Sequence, residues 1–401
     1  MEDLALDRAS AAALFLRRRA LFVVFLVQGM AMASWITRTP AIRDALSAST
    51  GQMGLILFGL SVGSMSGILM SGAAVSRFGT RPVAIAGLSL VVASMLAIGA
   101  GVVLTSKMIT AVGLALIGFG MGLSEIAVNV DGADVERLSE RPLLHTLHGF
   151  YSLGTVGGAI FGFGLTALDI PVVWHLMAIA IVVGAMSFAA CRYLPAGIGR
   201  QDTPDITDRS DTQGWLSLIA ERRLLMIALI VLGMALAEGS ANDWLPILMV
   251  DSYNVSQASG SLMFVVFAAM MTVGRFGGGY FLERYGRARV IRASAISCAI
   301  GIGVAMLARD PITGSLAVVL WGLGASLGFP VTLSAAADTG KHPAARVAVV
   351  ATGGYIAFLA GPPGLGFIGE HYGLRSALAV VLLAVVVAAI VAQATKSDSS
   401  R

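Results

Sequence analysis

Glu125 and Asn129 stand four residues apart, and so do Glu238 and Asn242, each pair inside a stretch almost free of other charge. Residues four apart share one face of an α-helix, so each stretch would present a carboxylate beside a carboxamide. Glu125 lies 18 residues after Lys107 and 12 before Arg137, and Glu238 lies 15 after Arg223 and 13 before Asp251. Both acids therefore sit near the middle of apolar runs long enough to cross a bilayer. An ionisable group at such a depth is costly and marks a solute pathway or a proton site. Desolvation favours the neutral carboxylic acid over its anion, which is the property a proton-exchanging group needs near neutral pH. Arg38 and Asp243 add a cation and a further acid in the outer halves of their runs. Arg38 carries a planar fork of donors suited to carboxylates and vicinal hydroxyls. It is expected either to hold such a solute or to pair with Glu125 or Glu238. Asp243 has two readings, a solute contact or a cap on an outer gate near Trp244 and Pro246.

The elements that carry these residues are legible from composition. The 401 residues are 57% hydrophobic and only 12% charged, too little charge to cover a water-facing surface. The 48 glycines suit helices packed closely in lipid. Apolar stretches fall near 20–43, 52–76, 82–104, 108–135, 144–167, 171–191, 223–250, 257–281, 289–308, 313–338, 347–369 and 374–394. This predicts an all-α membrane protein of twelve spans. The polar segment within 192–222 is the expected linker between an N-terminal six-helix bundle, 1–191, and a C-terminal one, 223–401. The arginines at 17–19 followed by an apolar run imitate a secretory signal. The same GMAxA pattern recurs at Gly233, so the run is read as span 1.

With the N-terminus placed inside, 21 of the 27 Lys and Arg residues fall on the inner side, 4 on the outer side and 2 within spans. That bias predicts both termini in the cytoplasm. The halves also repeat. GMAMAS at Gly29 returns as GMALAE at Gly233, and GFGMG at Gly118 as GLGAS at Gly322, both 204 positions later. Tandem repeats of six spans in one orientation are a construction of secondary transporters, in which two bundles rock about a central site. Under this offset Ser34 corresponds to Glu238 and Arg38 to Asn242. The two halves thus put different polar groups at related positions, as a grip on an asymmetric solute requires.

The loop after span 2, GAAVSRFGTR, and its counterpart after span 8, GYFLERYGR, resemble the G-x-x-x-D-R-x-G-R/K-R/K signature of the major facilitator superfamily. Gly72, Arg77, Gly79 and Arg81 match in the first copy, with Ser76 at the acidic position; Gly279, Glu283, Arg284, Gly286 and Arg287 match in the second. Val135–Gly158, Glu238–Trp244 and Gly354–Gly366 are similar to a bacterial inner-membrane subgroup near the fucose-permease-like proton symporters. The resemblance implies two six-helix bundles related by a pseudo-two-fold axis, with spans 1, 4, 7 and 10 lining a central cavity. It then implies Glu125 and Glu238 as the proton-coupling pair. Such symporters carry acids on spans 1 and 4; here span 1 offers Arg38 instead, and Glu238 is the natural substitute.

Around that pair the expected solute contacts are Arg38, Asn129, Asn242, Asp243, Trp321 and Tyr355, the last two as stacking surfaces. A cytoplasmic gate is expected from Arg77, Arg81, Asp134, Glu283, Arg284, Arg287 and Asp338, with Asp131 and Arg275 joining it. His145 and His148 are read as interfacial hydrogen-bonding residues, and Gly361–Gly364, with two prolines, as an irregularity in the helix of span 11, either a hinge for rocking or a static kink. Cys191 and Cys298 are apolar filler with no disulfide or metal framework. No G-x-x-x-x-G-K-[ST] loop occurs, and no metal cluster or catalytic triad stands at mid-depth, so a nucleotide-driven pump and a membrane enzyme find little support in the sequence. The expectation is a monomeric, multi-pass inner-membrane protein without cofactor or nucleic-acid partner, in contact with lipid. It would move a small polar, sugar- or polyol-like solute in symport with protons. The alternative is proton-coupled efflux of a metabolite or drug-like compound, weakened because Gly154–Gly158 lacks the proline of the antiporter pattern.

Overall fold

The computed structural model describes residues 2–139, 143–201, 218, 220–338 and 342–396, the side chains of 2–11, 145 and 344 excepted. Arg141, Arg209, Lys341 and Arg401 of the inner-side charge set lie outside the described residues, as does most of the expected linker. Among the described residues the regular structure is helical, and twelve helices are long and apolar enough to cross a membrane. Large apolar side chains point outward along them: Leu69 is 74% exposed, Phe188 71% and Leu383 66%. In a water-soluble protein these would be buried; on membrane-length helices they are the lipid-facing surface.

Two compact units emerge, Met1–Arg38 with Ile56–Asp205, and Thr39–Leu55 with Ile206–Arg401. The first holds α1 (Glu2–Ile36), most of α3 (Thr50–Phe78), α4 (Thr80–Val103), α5 (Lys107–Ser139), α6 (Leu144–Ala167) and α7 (Val172–Cys191). Its helices approach through small residues. Gly59, Gly63 and Gly67, one per turn of α3, face the carbonyls of Ala111, Ala115 and Phe119 on α5 so closely that any Cβ would collide with them. Side-chain-free ridges let backbones touch where lipid offers no hydrophobic drive to association. Gly79, between α3 and α4, has φ +81, a conformation that glycine adopts without strain. Its signature counterpart Gly286 has φ +77, so the second glycine of each signature copy is there to make the turn.

The second unit holds α2 (Thr39–Ala45), α8 (Arg222–Tyr253), α9 (Gln257–Tyr285), α10 (Arg287–Leu307), α11 (Pro311–Ala325), α12 (Gly328–Ala337), α13 (Pro343–Tyr372), α14 (Leu374–Val391) and a final 3₁₀ turn. Thr39–Leu55 groups here through polar contacts that composition does not reveal. Arg43 pairs with Asp251 at 2.5 Å, Gln257 donates to Asp44 at 3.0 Å, and the Gly51 amide donates to Glu370 at 2.8 Å. α9 begins on Ser256, whose hydroxyl accepts from the Ser259 amide, and α11 on Asp310, which accepts from the Thr313 amide. Both are caps for otherwise unbonded first-turn amides.

The expected spans match helices closely, with two differences. Span 1 stops at Ile36 and resumes as α2 after Thr37–Arg38, because Pro40 has no N–H to offer the Ile36 carbonyl. Span 10 divides into α11 and α12, and Pro330 likewise leaves the Ser326 carbonyl without its usual donor. Gly361–Gly364, expected as a hinge or a static kink, lies inside α13, whose helical pattern continues past Pro362 and Pro363. The Pro362 carbonyl packs against Gly54, which has no side chain to hold it away.

Candidate functional site

In the first unit, Glu125 sits on α5, partly buried, with no hydrogen bond or ion pair among the described residues; Asn129, one turn on, is in the same position. Immediately before Glu125, Ser124 is fixed. Its hydroxyl donates to the Gly120 carbonyl and accepts from Gln28 of α1 at 2.7 Å, with Gln28 only 1% exposed. The α1–α5 contact therefore orients the turn that carries Glu125. Arg38 follows the end of α1 and is 3% exposed, yet it pairs with neither expected carboxylate. Its Nε donates to Nδ1 of His175 on α7 at 2.9 Å. His175 is fully buried and stacks edge-on against Phe161, centroid distance 5.6 Å. An ionisable side chain inside span 6 was itself a signal, and His175 is the functional candidate that the sequence reading passed over.

In the second unit, Glu238 of α8 is bonded by Arg275 of α9 at 2.8 Å, both partly buried. Arg275 was expected in the gate; α9 runs against α8 at a register that delivers its guanidinium to Glu238 instead. Asn242 is partly buried, and Asp243 is buried at 8% exposure; neither has a polar partner among the described residues. Pro246, inside α8, cannot donate to the Asn242 carbonyl. Trp321 does not offer a stacking face. It is fully buried, its indole N–H donates to the Ala237 carbonyl at 3.0 Å, and its ring meets Phe267 edge-on. A buried indole needs an acceptor, and the α8 backbone supplies it. Tyr355 lies partly buried on α13.

The gate is built differently in each unit. In the first, Asp134 pairs with Arg17 at 2.8 Å and with Arg137 at 2.6 Å, not with the signature arginines. Arg17 Nε also donates to Asp131 at 2.7 Å, and the Thr80 hydroxyl takes the other Asp131 oxygen at 2.9 Å. Asp131 is thus fully buried and fully bonded. Arg77 lies over the ring of Phe78, and Ser76 spends its hydroxyl on the Ala73 carbonyl. With no acid at position 76, the cation of the cluster comes from α1 rather than from Arg77 or Arg81. In the second unit Arg287 does reach Asp338, at 2.5 Å. Glu283 is exposed without a partner among the described residues, while Arg284 bonds the Tyr280 hydroxyl and lies over Tyr285. Glu221, the position related to Arg17 by the repeat, carries the opposite sign and binds Arg346 through both oxygens, at 2.7 and 2.5 Å. Of the histidines read as interfacial, His148 packs edge-on to Phe25, and the side chain of His145 lies outside the described residues.

The sequence profile of the Major Facilitator Superfamily matches residues 20–339 and 240–399. An uncharacterised MFS-type transporter of Yersinia pestis is 27% identical over 374 residues, covering 93% of this chain and 94% of that protein. Among solved structures, a point mutant of the nucleoside transporter NupG superposes with a TM-score of 0.74 at 15% identity, covering 94% of this chain and 99% of that one. The Escherichia coli fucose:proton symporter FucP, likewise as a point mutant, superposes with a TM-score of 0.65 at 17% identity, covering 96% and 100%. At such identities the superpositions establish a common fold; they carry no substrate across.

Proposed function

Because the chain belongs to the major facilitator superfamily of transporters, we propose that it is a proton-coupled symporter of a small hydroxylated solute, working by alternating access. The observation that carries the proposal is the Glu238–Arg275 ion pair at 2.8 Å on two membrane-length helices. A carboxylate cannot hold a proton and its charge-assisted bond to a guanidinium in the same way, so protonation of Glu238 and pairing with Arg275 compete. A proton arriving at Glu238 weakens its bond to Arg275, and its departure restores the pair, which gives α8 and α9 two alternative electrostatic states. Glu125 supplies a second carboxyl, with no bond among the described residues to break before it takes a proton. Arg38 and Asn129 in the first unit, and Asn242, Asp243 and Tyr355 in the second, are the proposed solute contacts.

The same reading places two six-helix bundles at 1–191 and 223–401, a cytoplasmic linker at 192–222, both termini in the cytoplasm and a monomer in the bacterial inner membrane. The positive-inside bias supports that orientation. Uptake into proteoliposomes under an imposed pH gradient tests the coupling. A panel of labelled sugars, polyols and sugar acids serves as probe. Glu125→Gln and Glu238→Gln keep size and remove titration, so each should retain solute counterflow and lose gradient-driven accumulation. Accumulation with unchanged pH dependence in both variants would refute the assignment, and outward accumulation in the wild type would establish efflux.

A further inference from the structure

The contact between Arg38 and His175 leaves donors over. A guanidinium has no acceptor, so the His175 Nδ1 that receives its Nε–H is the unprotonated nitrogen, and the imidazole hydrogen sits on Nε2. Nε2 of His175 is buried with no hydrogen-bond partner among the described residues, and so is Nη2 of Arg38. These side chains belong to residues 0% and 3% exposed. The nearby hydroxyls do not supply a partner: Thr37 donates to the Ser34 carbonyl at 3.0 Å and Thr166 to the Gly162 carbonyl at 2.7 Å, and neither oxygen accepts from these two nitrogens. Gly162 itself lies so near Thr37 and the His175 ring that no side chain fits there. A buried donor without an acceptor is destabilising. Here two lie on side chains bonded to each other, one of them cationic, and an acceptor bearing negative charge would serve the cation best.

We propose that the Arg38–His175 pair of the first unit is a carboxylate subsite, receiving the acid group of a small hydroxylated acid with Arg38 Nη2 and His175 Nε2 as its donors. The proposal rests on the reading of the chain as a solute carrier and narrows the solute to an acid. His175 then has two tasks: its Nδ1 holds the guanidinium in place, and its Nε2 contributes the neighbouring bond. Arginine suits the site because its charge persists at any physiological pH and because, with Nε held by His175, Nη2 remains to meet a carboxylate oxygen.

The experiment follows thermal unfolding of the purified full-length chain in detergent micelles, at matched ionic strength in sodium chloride. Two acids are compared with their nearest neutral forms, glucuronate with glucose and benzoate with benzamide. The acids should raise the unfolding temperature of the wild type and the neutral compounds should not. Arg38→Gln should abolish the acid-specific shift. His175→Asn places an amide oxygen near the Nδ1 position, so Arg38 Nε keeps an acceptor, but it removes the Nε2 donor and should reduce the shift. His175→Gln, which lacks the Nδ1-like acceptor, should lose more of the shift than His175→Asn. If Arg38→Gln does not fold, the wild type and the two His175 variants still decide the matter. Equal shifts from acids and neutral partners in the wild type, or a full acid-specific shift in His175→Asn, would overturn the proposal and leave ordered water as the acceptor. Gradient-driven accumulation of a neutral solute alongside that result would sink the subsite and spare the symport reading. An acid-specific shift in a protein that accumulates nothing would do the reverse.

Discussion

Replacing Arg17 by Gln should destabilise the first unit far more than replacing Arg137 by Gln, although both arginines contact Asp134. Arg17 is 8% exposed at its side chain and bridges Asp131 at 2.7 Å and Asp134 at 2.8 Å; Arg137 is 79% exposed and reaches Asp134 alone, at 2.6 Å. Removing Arg17 strands the Asp131 carboxylate, which is fully buried and, among the described residues, keeps only the Thr80 hydroxyl. Breaking a buried ion pair by deleting one partner costs about 3–5 kcal/mol, most of it the cost of the charge left behind. An exposed pair such as Arg137–Asp134 is worth about 0–1 kcal/mol. The two variants should therefore differ by roughly 2–5 kcal/mol, visible as a large gap in unfolding temperature in one detergent. If the stranded charge is the cause, Asp131→Asn added to Arg17→Gln should recover most of the loss, so the two changes are strongly non-additive. Equal unfolding temperatures for Arg17→Gln and Arg137→Gln, or additive effects in the double variant, would refute this account of the cluster.

Two further outcomes follow from the opposite unit. The hydrogen bonds from Arg346 hold the Glu221 carboxyl below its ordinary value of 4.5, with partial burial opposing them. A carboxyl whose folded value is lowered gives its full stabilisation above the unfolded value and loses it as pH falls through the folded one. Unfolding temperature should thus decline below pH 4.5 in the wild type and decline less in Glu221→Gln; superimposable pH profiles would contradict this. Asp338→Asn should raise maleimide labelling of a Leu333→Cys probe, in a background with Cys191 and Cys298 replaced, by up to about fivefold, the equivalent of about 1 kcal/mol for an exposed pair. Glu283→Gln should leave the labelling rate unchanged, because Glu283 is exposed with no partner among the described residues; a comparable rise in both would show that the signature acid holds the gate after all.

The sequence by itself determined the number of spans, their approximate ends and the family, because each rests on a property that accumulates along the chain. Twenty apolar residues must form a helix in lipid whatever their neighbours are, and glycines that make a turn at φ +81 and +77 have no substitute. That Glu125 and Glu238 lie well inside their helices was equally legible, since place along a span is a matter of counting. Partnership was not. Arg38 meets His175 and Glu238 meets Arg275, while Arg17, which reads as a flanking charge, bridges two aspartates. Trp321, an aromatic on a cavity-lining span in the sequence reading, is instead a buried strut bonded to the α8 backbone. Each of these depends on the rotation and register of one helix against another. Those are set by where small residues let backbones close, and residues 137 positions apart, as Arg38 and His175 are, leave no mark on each other in one sequence. The tertiary structure decided which charges are neutralised, and so which of them remain available to a proton or a solute.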